Sequence, residues 1–122
     1  MKLTPNMTSM GVRIDDIDLS KHVSQPQFAT ILSALGKYGV VWFPKQTLDA
    51  RAMNAFSERF GSLQGSPTGA YCEPDVPEVM LLSNIVEDGK QIGVADARQD
   101  WHTDMSYNAL VGFMNIPGKR RK

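Results

Sequence analysis

The stretch "SQPQFATILSALGKYGVVWFP" (residues 24–44) decides how the rest of the chain is read, because it changes hydrophobic period within itself. Its first part carries a helix start. Ser24 is placed to cap, Gln27 stands where a capping-box partner belongs, and Val23 and Phe28 flank the cap as a hydrophobic staple. Phe28, Ile31, Leu32 and Leu35 then recur at i, i+3, i+4 and i+7, which predicts one apolar helical stripe ended by Gly36 or Gly39. "GVVWFP" (39–44) has no such period. It is a short β-branched and aromatic run stopped by Pro44, the pattern of a strand buried on both faces.

On the N-terminal side, "VRIDDIDL" (12–19) alternates apolar and acidic positions and reads as a strand leading into a turn. On the C-terminal side a second helix begins at Asp49 as N-cap, with Leu48 and Met53 as staple. Its stripe is Met53, Phe56 and Phe60, and Gly61 ends it. Residues 62–77 are rich in Gly, Pro, Ser and Thr and read as a loop. "EVMLLSNI" (78–85) reads as the next strand, and Asp88-Gly89 as a hairpin turn within an otherwise polar, loop-like stretch to residue 100. "WHTDMSY" (101–107) reads as extended and "NALVGFMNI" (108–116) as a weak strand, before Pro117 and a basic end. Strands and helices mixed in this way predict an α+β fold.

A length of 122 residues suits one core, so a single domain over 1–116 with a basic, flexible tail over 117–122 is expected. The formal net charge is zero, which removes any broad electrostatic case for nucleic acid or an anionic membrane surface. Cys72 is the only cysteine and rules out an intramolecular disulfide, consistent with a reducing compartment. The N-terminus lacks the apolar run of a signal peptide and no later stretch approaches a membrane span, so a soluble cytoplasmic protein is the expectation.

The chemistry lies in "WHTDMSY". Residues two apart on an extended segment project to the same face, so His102 and Asp104 present an imidazole nitrogen and a carboxylate oxygen within reach of one ion. Such a pair is two thirds of the 2-His-1-carboxylate triad that holds Fe(II) with one face open, and mixed N/O donors also suit Zn²⁺, Mn²⁺ or Co²⁺. His-x-Asp alone is common by chance, so the surroundings carry the weight.

Those surroundings run in a fixed order: "GVRIDDIDLS", the first helix, "GVVWFPKQTLD", the helix end "FSERFGSL", a strand ending near "LLSN", and then "WHTDMSY". In this ordered string the chain resembles the taurine dioxygenase-like (TauD/TfdA) family of Fe(II)- and 2-oxoglutarate-dependent dioxygenases. The resemblance implies the N-terminal part of a double-stranded β-helix (jelly-roll) fold with two helices packed on the sheet. It implies His102 and Asp104 as the first two iron ligands, 2-oxoglutarate as co-substrate, and Trp101 packed behind the metal segment as its support. The plain alternative for Trp101 is an ordinary core aromatic. The family reaction is oxidative decarboxylation of 2-oxoglutarate to succinate and CO₂, coupled to hydroxylation of a small organic substrate.

Arg98 is the residue suggesting that this substrate is anionic, since a cation near the metal pairs with carboxylate, sulfonate or sulfate. The bland reading makes it a rim residue bridged to Asp96 or Asp100. Asn84 and Tyr71 are further pocket candidates. Taurine-using members carry a His and a Tyr shortly after the "FG" that ends the second helix. Here Ser66 and Gly69 fall at those places, which does not favour taurine.

The chain departs from the family after Asp104. The family's third ligand, a distal histidine, and the arginine that pairs with 2-oxoglutarate both lie further downstream. The only other histidine here, His22, sits before the first helix and reads as a solvated surface residue. Arg120 and Arg121 belong to the basic end and read as solvated. The expectation is therefore a truncated dioxygenase whose C-terminal half is missing, inactive alone, with exposed strand edges open to self-association. Two alternatives stand beside it. One is a binding or assembly module with a vestigial His-x-Asp pair; the other is an enzyme completed in trans by a second chain.

Overall fold

The computed structural model describes residues 1–8, 10–65, 69–95 and 100–118. Strands β1 (Lys2–Pro5), β2 (Val12–Asp15) and β3 (Val41–Trp42) form a three-stranded sheet in that order. β1 pairs antiparallel with β2, while β2 and β3 run parallel, with Val12 opposite Val41. A parallel pair needs a crossover, and helix α1 (Gln25–Tyr38) supplies it. Strand, helix and parallel strand thus form one βαβ unit around residues 24–44.

The predicted cap of α1 is formed. Ser24 Oγ accepts from the Gln27 backbone N–H at 3.4 Å, and Gln27 Oε1 accepts from the Ser24 N–H at 2.9 Å. At the other end Gly39, not Gly36, ends the helix. It takes a left-handed φ of 73° while its N–H donates to the Leu35 carbonyl. The buried face is Phe28, Ile31 and Ala34; Leu32 lies on the exposed flank, so the expected stripe is turned by about one position.

Helix α2 (Ala50–Ser57) starts where expected, with the Asp49 carboxylate accepting from the Ala52 N–H at 2.7 Å. A 3-10 turn (Glu58–Phe60) follows. Phe56 joins Val12, Ile14, Leu19, Val23, Phe28, Ile31 and Ala34 in one buried cluster, so both helices close over the sheet. Phe28, Phe56 and Phe60 meet edge to face, with ring centroids 4.8 and 5.4 Å apart. Arg59 ties this corner to the start of α1: its guanidinium lies over the Phe28 ring, donates to the Val23 carbonyl and to Gln25 Oε1.

Gln46 makes a second tie. Its Nε2 donates to the Ile17 carbonyl at 2.9 Å and the Pro44 carbonyl at 3.2 Å, and its Oε1 accepts from the Leu19 N–H at 2.9 Å. One half-buried amide thereby satisfies the backbone of the β2–α1 connection and of the turn after β3.

Several strand expectations change. "GVVWFP" is not buried on both faces: only Val41–Trp42 pairs, and Trp42 is 57% exposed at the sheet edge, its ring under the Arg13 guanidinium. Instead of 78–85, the next strand is β5 (Val76–Met80), paired antiparallel with β4 (Cys72–Glu73). Pro77 is accommodated on an exposed position of that short ribbon. The Asp88-Gly89 hairpin is present, with β6 (Val86–Glu87) and β7 (Lys90–Gln91) joined by two residues at φ 50° and 73°. Beyond it, Gly93 lies so close to the 81–83 backbone that a Cβ would sit 2.7 Å from the Ser83 nitrogen. Only glycine permits the Leu82–Val94 bridge that returns the chain toward residue 100.

Residues 101–107 and 108–116 are bends and turns, not strands. Few hydrogen-bond partners flank them among the described residues, so extended backbone there has no ladder to join. Ile116 nevertheless packs against the core cluster, and a Cβ on Gly118 would lie 3.3 Å from the Met53 side chain. Residues 119–122, with Arg120 and Arg121, lie outside the described residues. No helix among the described residues is long and apolar enough to cross a membrane.

Candidate metal centre

Although 101–107 forms no strand, it brings the two predicted donors together. His102 Nε2 lies 3.4 Å from Asp104 Oδ1. The other ring nitrogen, Nδ1, is 2.7 Å from the Asp100 carbonyl oxygen. A carbonyl only accepts, so this contact places the ring proton on Nδ1 and leaves Nε2 with its lone pair toward the carboxylate. Both groups are open to solvent, so either a water or a shared cation can stand between these two acceptors.

Local backbone makes this possible. Met105 adopts a left-handed φ of 58° and its carbonyl accepts from the Asn108 N–H at 2.9 Å, closing a tight turn directly after Asp104. Thr103, between the two donors, donates to Ser106 Oγ at 2.8 Å. Asp104 Oδ2 accepts from Asn115 Nδ2 at 2.6 Å, a contact across eleven residues.

The donor set fits a divalent ion. Two cis ligands each about 2.1 Å from one ion lie roughly 3.0–3.4 Å apart, and the observed 3.4 Å is at the wide end of that range. Imidazole and carboxylate together suit Fe(II), Mn(II), Co(II) or Zn(II). Both side chains remain open to solvent, at 42% and 44% exposure, which leaves room for further ligands. Among the described residues no group of three or more His, Cys, Asp or Glu side chains is placed to hold a metal, so these residues supply a pair.

The remaining candidates are not gathered here. Trp101 does not pack behind the metal segment; it is fully exposed, because residues 101–103 lie on the surface with no layer behind them among the described residues. Tyr71 is exposed in the turn before β4 at a left-handed φ of 57°, and Asn84 is exposed just before β6. No hydrogen bond or ion pair joins either to His102 or Asp104 among the described residues. Arg98, Asp96 and Ser66 lie outside the described residues, and Gly69 is exposed. His22 is exposed before α1, as its polar surroundings suggest.

A cavity of about 370 Å³ lies elsewhere, between α2 and β5, lined by Arg51, Asn54, Glu58, Asp75 and Glu78. Its lining contains neither metal donor, and an Arg51–Asp75 ion pair crosses it at 3.4 Å. Asn115 is the site residue that sequence reasoning missed. An Asn in an irregular stretch carries no periodic or spacing signal, and only the turn at Met105 brings it back to Asp104.

A βαβ unit with a second helix closed over it, followed by a surface His-x-Asp pair, defines an α+β chain with a two-residue candidate metal site. Residues 2–112 match the family described as taurine catabolism dioxygenase TauD, TfdA family, and the chain belongs to that family. It is 32% identical over 120 residues to pentalenolactone F synthase from Streptomyces arenae, covering 93% of this chain and 40% of that protein. The Streptomyces avermitilis enzyme of the same name is 33% identical over 115 residues, covering 88% of this chain and 37% of that protein. The chain therefore spans about two fifths of the length of these relatives.

Among solved structures, a Burkholderia xenovorans protein with a provisional alpha-ketoglutarate-dependent taurine dioxygenase assignment superimposes with a TM-score of 0.61. It is 34% identical, and the match covers 70% of this chain and 31% of that one. AAD-2, solved in complex with Mn(II) and N-oxalylglycine, shares the fold at a TM-score of 0.50 and 22% identity, over 58% of this chain and 29% of its own.

Proposed function

We propose that this chain is the N-terminal portion of an Fe(II)- and 2-oxoglutarate-dependent dioxygenase of jelly-roll architecture, and that it does not turn over by itself. The single observation carrying the reading is the His102 Nε2–Asp104 Oδ1 approach of 3.4 Å, with Nδ1 held on the Asp100 carbonyl. Fe(II) and 2-oxoglutarate, held there, would activate O₂, one oxygen atom going into succinate as 2-oxoglutarate loses CO₂ and the other into a C–H bond of the substrate.

The chain's own part is narrower. The Asp100 carbonyl fixes the imidazole tautomer, the turn at Met105 swings the carboxylate to the same side, and solvent access leaves coordination positions for co-substrate. A third protein ligand and an anion-pairing group for 2-oxoglutarate are needed from outside the described residues. The substrate is proposed to be a small anionic organic molecule, with Arg98 as its counter-charge.

The test is succinate formation from 2-oxoglutarate with Fe(II) and O₂. The chain alone should form no succinate above a protein-free control. An extended chain that supplies the distal histidine and arginine should form it, and His102→Ala should abolish that turnover. Robust turnover by the chain alone, lost on His102→Ala, would overturn the inactive-alone part and favour completion by a second chain. Turnover of the extended chain that survives His102→Ala would overturn the assignment of the pair.

A further inference from the structure

We infer that Asn115 is a positioning residue for the metal pair: its side-chain amide holds Asp104 so that Oδ1, and not Oδ2, is presented beside His102 Nε2. This rests on the reading of His102 and Asp104 as ligands and adds a residue that neither the motif nor the spacing marks.

The geometry is specific. Asn115 Nδ2 lies 2.6 Å from Asp104 Oδ2, and only the NH₂ end of an amide has a proton to give a carboxylate. A carboxylate otherwise rotates about its last torsion and offers either oxygen, or both, to an ion. With Oδ2 accepting from Asn115, the group is turned so that Oδ1 faces the imidazole at 3.4 Å, and one-oxygen ligation is the form left open.

Asn115 is itself held by the core and not by the site. Its neighbour Ile116 packs against the buried cluster, and Gly118 lies against Met53 on α2, so the backbone carrying the amide is anchored on the core. The donor end of the contact is thus in place before an ion arrives, and it organises the pair in advance. Asn115 is exposed, so substituting it removes no core packing.

The test is Mn(II) binding to the purified chain, read by the electron paramagnetic resonance signal of free Mn(II), in wild type and in Asn115→Leu, Asn115→Gln and His102→Ala. Asn115→Leu keeps the branched shape and removes the donor. It should weaken binding about tenfold, the low end for partners of metal ligands because this pair is open to water. Asn115→Gln, which keeps the amide on a longer arm, should recover at least part of that loss, and His102→Ala should abolish binding.

Unchanged affinity in Asn115→Leu, with His102→Ala still abolishing binding, overturns the role of Asn115 and leaves the ligand pair standing. A loss in Asn115→Leu that Asn115→Gln does not recover at all shows that binding does not depend on the amide donor and overturns it equally. No Mn(II) binding by wild type, or binding that survives His102→Ala, overturns the reading of the pair on which the inference rests.

Discussion

Replacing Gln46 by Leu tests how the β2–α1 connection is locked to the turn after β3. The wild-type amide makes three hydrogen bonds, to the Ile17 carbonyl, the Pro44 carbonyl and the Leu19 N–H. Leu19 is buried at 5% exposure, so its N–H has no ready water in exchange. At about 1 kcal/mol per neutral hydrogen bond, with a further penalty where a donor is stranded, Gln46→Leu should cost roughly 3 kcal/mol. Against a total of about 5–15 kcal/mol for a domain, that is a large fraction. It corresponds to a drop in Tm of roughly 10 °C. Urea unfolding followed by circular dichroism should show a lower midpoint with an unchanged slope. Gln46→Glu separates donors from acceptor: it still accepts from Leu19, yet turns a carboxylate toward two carbonyls. It should be at least as destabilising as Leu near neutral pH and should partly recover when that carboxyl is protonated. A Gln46→Leu protein within about 0.5 kcal/mol of wild type would refute the reasoning, because water would then replace the amide at no net cost.

Ile14 is fully buried at the centre of β2, so Ile14→Ala should cost about 2–5 kcal/mol by cavity formation, read by the same unfolding experiment. At the sheet surface, the hydrogen bonds from Arg13 hold the Asp15 carboxyl below the usual carboxylate range, with the Arg13 charge adding to them. A lowered folded value means the associated stability is fully present above the unfolded carboxylate range, about pH 4, and is lost as pH falls through the folded value. Carboxyl carbon NMR titration should place Asp15 below that range in wild type and return it upward in Arg13→Gln.

Local signals were the readable part of this molecule. The Ser24/Gln27 cap, the Asp49 cap and the Asp88-Gly89 hairpin each depend on residues a few positions apart and are where the pattern put them, and Gly39 is one of the two helix ends it offered. Trp42 misled because an apolar run looks alike at a sheet edge and in a sheet centre; pairing decides, and among the described residues β3 has β2 on one side only. Gln46 and Asn115 left no trace in the pattern because their partners lie 27, 29 and 11 residues away, at distances set by the fold. For the pair itself, the i and i+2 spacing predicted an extended segment, and the backbone there is irregular. His102 and Asp104 do meet, yet by a turn at Met105 and a carbonyl bond at Asp100 in place of a strand.

Mn(II) added to the isotope-labelled chain offers the most direct test of that pair, since paramagnetic broadening reports where an ion sits even when it binds weakly. The account predicts that backbone signals of residues 101–105, the His102 ring and the Asn115 side chain broaden first, and that His102→Ala removes this selectivity. Broadening centred instead on the acidic cavity beside α2, around Asp75 and Glu78, or spread evenly over the surface, would contradict the assignment of His102 and Asp104 as the metal pair.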